Sequence, residues 1–219
     1  MKKWLKEKIS EAKEKRVALY ISVATATAFT VYNFYLALAH QATWNLWAAI
    51  YYLCLMTIQI TSLAISKASL QKGKDYPPAA FVVVSSMIIL LSFLMIGPAI
   101  LMLLNKRDVT LGTIPAIAIA TYTAYKVTMT ILDFAKRKKN QTLLARQNRA
   151  AKIASSIMSV LTLQNTLVLV FGSGGEGLSK LTFVSTVALL LLQSIYSIAS
   201  MVLTLKNEKS RKSQVSAAK

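Results

Sequence analysis

The sequence predicts an all-α integral membrane protein with six transmembrane helices, arranged as two inverted three-helix repeats. Three observations lead there. The 219 residues are 55% hydrophobic with a mean hydropathy of +0.50, where soluble domains average about 45–50% apolar. The apolar residues fall in six runs of spanning length, since a hydrocarbon core about 30 Å thick takes about 20 helical residues. Three short patterns also recur once each, in the same order, along the chain.

The spans lie at 17–39, 43–66, 78–104, 110–135, 152–172 and 179–205. Their backbone groups find no water in lipid, so each run must satisfy its own hydrogen bonds as a helix. Ahead of the first span, residues 1–16 carry seven Lys and Arg, with Trp4, Leu5, Ile9 and Ala12 placed to touch lipid. That segment reads as a basic helix on the inner leaflet or as a frayed tail that sets topology. It has no small-residue cleavage site and is not a signal peptide. Span two opens on Trp44, Trp47, Tyr51 and Tyr52, aromatics of the kind that anchor at headgroup level. Span three follows Pro77-Pro78, which suits the first turn of a helix. Gly97-Pro98 in span three and Pro115 in span four are expected to break the helical ladder as kinks or hinges. Gly172, Gly174, Gly175 and Gly177 predict a flexible turn after span five. Residues 207–219 form a basic tail.

Charge gives the orientation. The formal net charge is +18, yet the basic residues lie between the apolar runs and form no stripe interleaved with aromatics. Nucleic acid is therefore not an expected partner. The N-terminal segment holds seven Lys and Arg, the loop after span two three, the loop after span four seven, and the tail five. The opposite side holds only Lys106, Arg107 and Lys180. This asymmetry places both termini in the cytoplasm and predicts attraction to anionic lipids on that face. A lysine-rich chain without organellar targeting suggests the plasma (inner) membrane of a bacterium.

The repeat is carried by three pairs of segments. Met56-Thr-Ile-Gln-Ile-Thr61 in span two matches Leu161-Thr-Leu-Gln-Asn-Thr166 in span five, so Gln59 corresponds to Gln164. Ser85-Ser-Met-Ile-Ile-Leu-Leu91 in span three matches Ser185-Thr-Val-Ala-Leu-Leu-Leu191 in span six. Phe29-Thr-Val-Tyr-Asn33 in span one resembles Tyr122-Thr-Ala-Tyr-Lys126 in span four. The spacings are 105, 100 and 93 residues. The repeats are then 17–106 and 107–206. Three spans is an odd number, so the second copy enters from the opposite face and the halves are inverted, as in many secondary transporters.

Lys126 is the most informative single residue, because a lysine near a helix centre costs roughly 2.5–3.5 kcal/mol to insert. It is a candidate to attract an anionic solute or hold a gating contact; otherwise it snorkels or bonds a neighbouring carbonyl. Asp133, a further candidate for the solute site, lies two turns on, about 10 Å along the helix, too far for a direct ion pair but within reach of Lys126 through water. Asn33, Gln59, Gln164 and Asn165 are further candidates to bind a polar solute, with interhelical hydrogen bonding as the alternative; Gln193 shares that choice. Tyr32, Tyr35, Tyr122 and Tyr125 are candidates to line an interior surface or pack in the core. Thr57 and Thr61, like Thr162 and Thr166, sit four apart on one face and predict a close-packing seam.

Two function classes follow. One is a small transporter or channel with a polar site near the midplane. The other is a non-catalytic membrane subunit that binds a partner protein, with a homo-oligomer also open. An enzyme is not expected, because a single histidine, His40, and a single cysteine, Cys54, leave no hydrolytic or metal constellation. No cofactor is expected.

Overall fold

A computed structural model describes residues 23, 24, 26–71, 77–104, 113–135, 143–171 and 176–217, and every element among them is an α-helix. In chain order these are α1 (26–40), α2 (Thr43–Gln71), α3 (Pro78–Leu94), α4 (Ile96–Leu104), α5 (Thr113–Ala135), α6 (Leu143–Phe171) and α7 (Glu176–Ala217). The basic segment 2–16, the start of the first span, Lys106, Arg107, the basic run 136–139 and Gly172, Gly174 and Gly175 lie outside the described residues.

Among the described residues, three segments are long and apolar enough to cross a membrane: Pro78–Leu101, Ala145–Val170 and Lys180–Lys206. The first joins α3 and α4 across a turn at Met95. Pro98 explains the break, because it has no N–H to give the Leu94 carbonyl. The ladder resumes on either side, with Met95 N–H bonding the Leu91 carbonyl at 3.2 Å and Ala99 N–H the Met95 carbonyl at 3.4 Å. Pro115 behaves differently from its expectation. It falls in the first turn of the described helix α5, which runs from there without a break to Ala135.

Two helices run beyond their predicted spans. α6 starts at Leu143, ahead of the span predicted from 152, and α7 continues to Ala217, past the span predicted to 205, while the spanning part of α7, Lys180–Lys206, matches the prediction. Hydropathy registers only the greasy part of a helix, while Arg146, Gln147 and Lys152 are good helix formers in their own right. At about 1.5 Å per residue, the 42 residues of α7 run about 63 Å, twice the thickness of a hydrocarbon core. The segment 207–217 is thus an extension of α7. Gly177 lies in the first turn of α7 rather than in a loop.

α6 is the central helix, packed against α2, α3, α5 and α7. Much of its buried surface is small or hydroxylic: Ala150, Ala151, Ala154, Ser155, Ser159 and Thr162. Small side chains let neighbouring helices approach closely. Helix directions follow from paired contacts. Thr27 bonds Met56 at 3.2 Å and Asn45 bonds Asn33 at 3.1 Å, so α1 and α2 are antiparallel. Tyr52 meets Ser155 and Ser62 meets Gln147, so α2 and α6 are antiparallel. Thr123 meets Ser159 and Asp133 meets Lys152, so α5 and α6 are antiparallel as well. It follows that α1 runs opposite to α5.

The outside of this bundle is apolar. Val31 and Leu38 on α1, Leu90 and Phe93 on α3, Ile114 and Ile117 on α5, and Leu192 and Ile195 on α7 all stand exposed, Ile114 to 79%. The inside holds Asn33, Asn45, Gln147, Asn165 and Gln193, each at most 1% exposed. Water would penalise that surface by roughly 25 cal/mol per Å² of apolar area, whereas lipid does not. The interior then provides what lipid cannot, a partner for polar side chains.

Candidate functional site

The polar interior is organised around one aromatic layer. The rings of Phe29 (α1) and Tyr122 (α5) stack with centroids 3.7 Å apart and planes 11° from parallel. Phe29 also meets Tyr52 (α2) edge-on at 5.3 Å, and Tyr52 meets Tyr51 edge-on at 6.3 Å. Gln193 Nε2 (α7) then donates to Tyr51 Oη at 2.7 Å and to Ser92 Oγ (α3) at 2.8 Å. Tyr52 Oη donates to the Ser155 carbonyl (α6) at 3.4 Å. Six helices are thereby joined at one level. The sequence read the aromatics at the start of span two as headgroup anchors. Trp44, Tyr51 and Tyr52 are buried against the other helices, where the small residues of α6 leave room for large rings from α2.

Toward the start of α2 lies a second polar group. Asn33 Nδ2 donates to the Phe29 carbonyl at 2.8 Å, and Asn45 Nδ2 donates to Asn33 Oδ1 at 3.1 Å. Among the described residues, Trp44 Nε1, Asn45 Oδ1 and both polar atoms of Asn165 are buried with no hydrogen-bond partner. Buried polar groups without partners are rare, since each carries a desolvation cost of about 1–3 kcal/mol. Gln193 Oε1 and Tyr122 Oη are likewise unpartnered.

At the other end of the bundle the groups are charged. Lys126 is half-buried, with Nζ 5.5 Å from the Tyr122 ring centroid, a cation–π approach. Ser156 Oγ donates to the Lys126 carbonyl at 3.3 Å. Asp133 pairs with Lys152, and its carbonyl accepts from Arg149 Nη2 at 3.2 Å. Lys126 and Asp133 are therefore not brought together.

The remaining sequence candidates divide by face. Asn33 and Asn165 are interior. Gln164 is half-buried and donates to Ser185, tying α6 to α7. Gln59 is half-buried in α2. Tyr125 is 39% exposed and Tyr35 is 60% exposed, so both point outward while Tyr122 points in. Three residues along a helix leave side chains only about 60° apart, so the edge of the buried face falls between Tyr122 and Tyr125. The threonine seam holds for Thr162 and Thr166, both buried, but Thr57 and Thr61 are exposed; all four bond a carbonyl of their own helix. The central position of α6 and the peripheral position of this face of α2 account for the difference.

Residues missed by sequence reasoning are Asn45, Trp44 and Gln147, the last of which donates to Ser62. Asn45 carried a usable signal: it stands seven residues before Tyr52, two turns up the same face. An apolar exterior around a hydrogen-bonded polar interior, with three helices of spanning length, defines a helical membrane protein. No protein-family model, curated protein or solved structure matches the chain.

Proposed function

We propose that this protein is a small solute carrier of six spans, made of two inverted three-helix halves, 17–106 and 107–206, with the solute path through the polar interior. In this reading α3 and α4 count as one span, and both termini face the cytoplasm of a bacterial cell. The basic segments rest on anionic headgroups, each Lys or Arg near the surface contributing about 1 kcal/mol.

One observation carries the reading. Residues that correspond in the repeat meet, or come within two residues of meeting, across a single layer. Phe29 stacks on Tyr122, its own counterpart at a spacing of 93. Gln193 bonds Ser92, whose counterpart at a spacing of 100 is the adjacent Leu192. Tyr52 bonds Ser155, two residues from its counterpart Ile157 at a spacing of 105. In antiparallel helix pairs, counterparts coincide only where a two-fold axis crosses. One coincidence and two near-coincidences, off by one and two residues, support an axis in the membrane plane, which is where carriers of this design hold their solute.

The test is flux. The purified protein in liposomes is expected to move a polar solute unaided. No flux, together with co-purification of a partner protein from native membranes, overturns the carrier reading and favours the second one, a non-catalytic subunit. That alternative draws on α7, whose helix continues past Leu205 to Ala217 with Lys206, Lys209, Arg211 and Lys212 along it.

A further inference from the structure

We infer that Trp44, Asn45 and Asn165 form a binding pocket for a small uncharged solute that both donates and accepts hydrogen bonds, such as a carboxamide, a urea or a polyol. The inference rests on the carrier reading and names its substrate class.

Register places these groups together. Ser62 of α2 is hydrogen-bonded to Gln147 of α6. Trp44 lies eighteen residues before Ser62, and Asn165 eighteen residues after Gln147. Eighteen residues are about five turns, so each returns to the same face of its helix. Because α2 and α6 are antiparallel, Trp44 and Asn165 stand level on facing surfaces. Asn45 is next to Trp44, and its Nδ2 is held by Asn33, which leaves its Oδ1 unused.

The free groups define the ligand. Trp44 Nε1 and Asn165 Nδ2 are N–H donors; Asn45 Oδ1 and Asn165 Oδ1 are carbonyl acceptors. All four are buried, and none bonds another, although donor and acceptor are level. A buried donor and a buried acceptor facing each other unbonded cost free energy unless something lies between them. No formal charge is among them. A cation would face two N–H groups, and an anion would face two carbonyl oxygens. A neutral solute offering both kinds of group satisfies all four. Lys126, the half-buried cation of the interior, is tied to the opposite end of the layer through Tyr122.

The test is light-scattering uptake in liposomes with acetamide, urea, glycerol, sodium chloride and potassium chloride as probes. Wild-type protein is expected to pass acetamide, urea or glycerol and to exclude the salts. Asn165→Leu is expected to lower that uptake at least about tenfold while melting no earlier than wild type, since an apolar side chain of similar size removes two unpaired groups. Trp44→Phe, which removes one donor and keeps the ring, is expected to lower it less. Passage of salts alone overturns the pocket and leaves the carrier. Unchanged uptake in Asn165→Leu does the same, and the groups then hold only water. If no probe moves, the carrier reading fails and melting decides the pocket. Stabilisation of wild type by acetamide, absent in Asn165→Leu, keeps it; equal response in both removes it.

Discussion

Phe29 and Tyr122 stack face to face at 3.7 Å, and they are the residues that open the two halves of the weakest sequence match. A resemblance that apolar sequence could produce by chance therefore coincides with a physical contact. Phe29 is buried, so Phe29→Ala is expected to destabilise by about 3–5 kcal/mol, as large aromatic truncations do. The stack itself should appear as a coupling of about 0.5–1.5 kcal/mol in a double-mutant cycle with Tyr122→Ala. Unfolding in detergent mixtures measures both. Additive effects would mean that the rings merely fill space.

Tyr51 separates packing from hydrogen bonding in the same layer. Its ring is buried and its hydroxyl accepts from Gln193. Interhelical hydrogen bonds in membranes average only about 0.6 kcal/mol. Tyr51→Phe is expected to cost about that much, and Tyr51→Ala about 3–5 kcal/mol. A Phe variant as damaged as the Ala variant would show that the Gln193 node, rather than ring packing, holds α2 to α3 and α7.

The turn between α1 and α2 contains the one non-glycine residue with positive φ among the described residues, Gln41 at φ 50°. Only Gly adopts that region without cost, and a β-branched side chain is worst there. Gln41→Gly is expected to raise stability by up to about 1 kcal/mol, and Gln41→Val to lower it by at least as much. Thermal melts of the purified variants rank them. The reverse order would mean that the Gln41 side chain contributes more than its backbone costs.

The sequence made the spanning runs legible because lipid demands them: 78–104 and 179–205 lie within helices of the structure. What it hid has a common cause. Hydropathy sees the solvent of a helix, not the helix, so Arg146 to Lys152 and the basic stretch after Leu205 read as loop and tail. Nor does polarity alone distinguish interior from exterior. Tyr122 and Tyr125 are chemically alike, yet only the former meets Phe29. Lys126 attracted notice by its cost, whereas Asn45 was overlooked between two tryptophans that looked like headgroup anchors. Asn33 and Asn165 stood out as polar residues in spans, but that Trp44 lies level with Asn165 follows only from the α2–α6 register.

Asp133 and Lys152 form an ion pair whose side chains are 40% and 45% exposed. Pairs so open to solvent contribute at most about 1 kcal/mol and are weakened by salt. Asp133→Asn is expected to leave solute uptake unchanged and to lower stability by under about 1 kcal/mol, with the difference shrinking at high ionic strength. Loss of uptake in this variant would return Asp133 to the solute path, where its sequence neighbourhood with Lys126 first suggested it.

The sidedness of the chain makes the final prediction, and it tests the inverted design most directly. Gln41 and Ser210 bracket the chain: the first lies between α1 and α2, the second near the end of α7. An odd number of spans separates them if α3 and α4 count as one. Single cysteines at these positions, placed in a Cys54→Ser background, report their side through a membrane-impermeant maleimide. Gln41→Cys is expected to react in intact cells, and Ser210→Cys only after the membrane is opened, because the basic stretch around Ser210 is retained inside. Labelling of both from one side would require an even number of crossings between them. The two halves could not then be inverted, and the meeting of Phe29 with Tyr122 would need an explanation other than a two-fold axis.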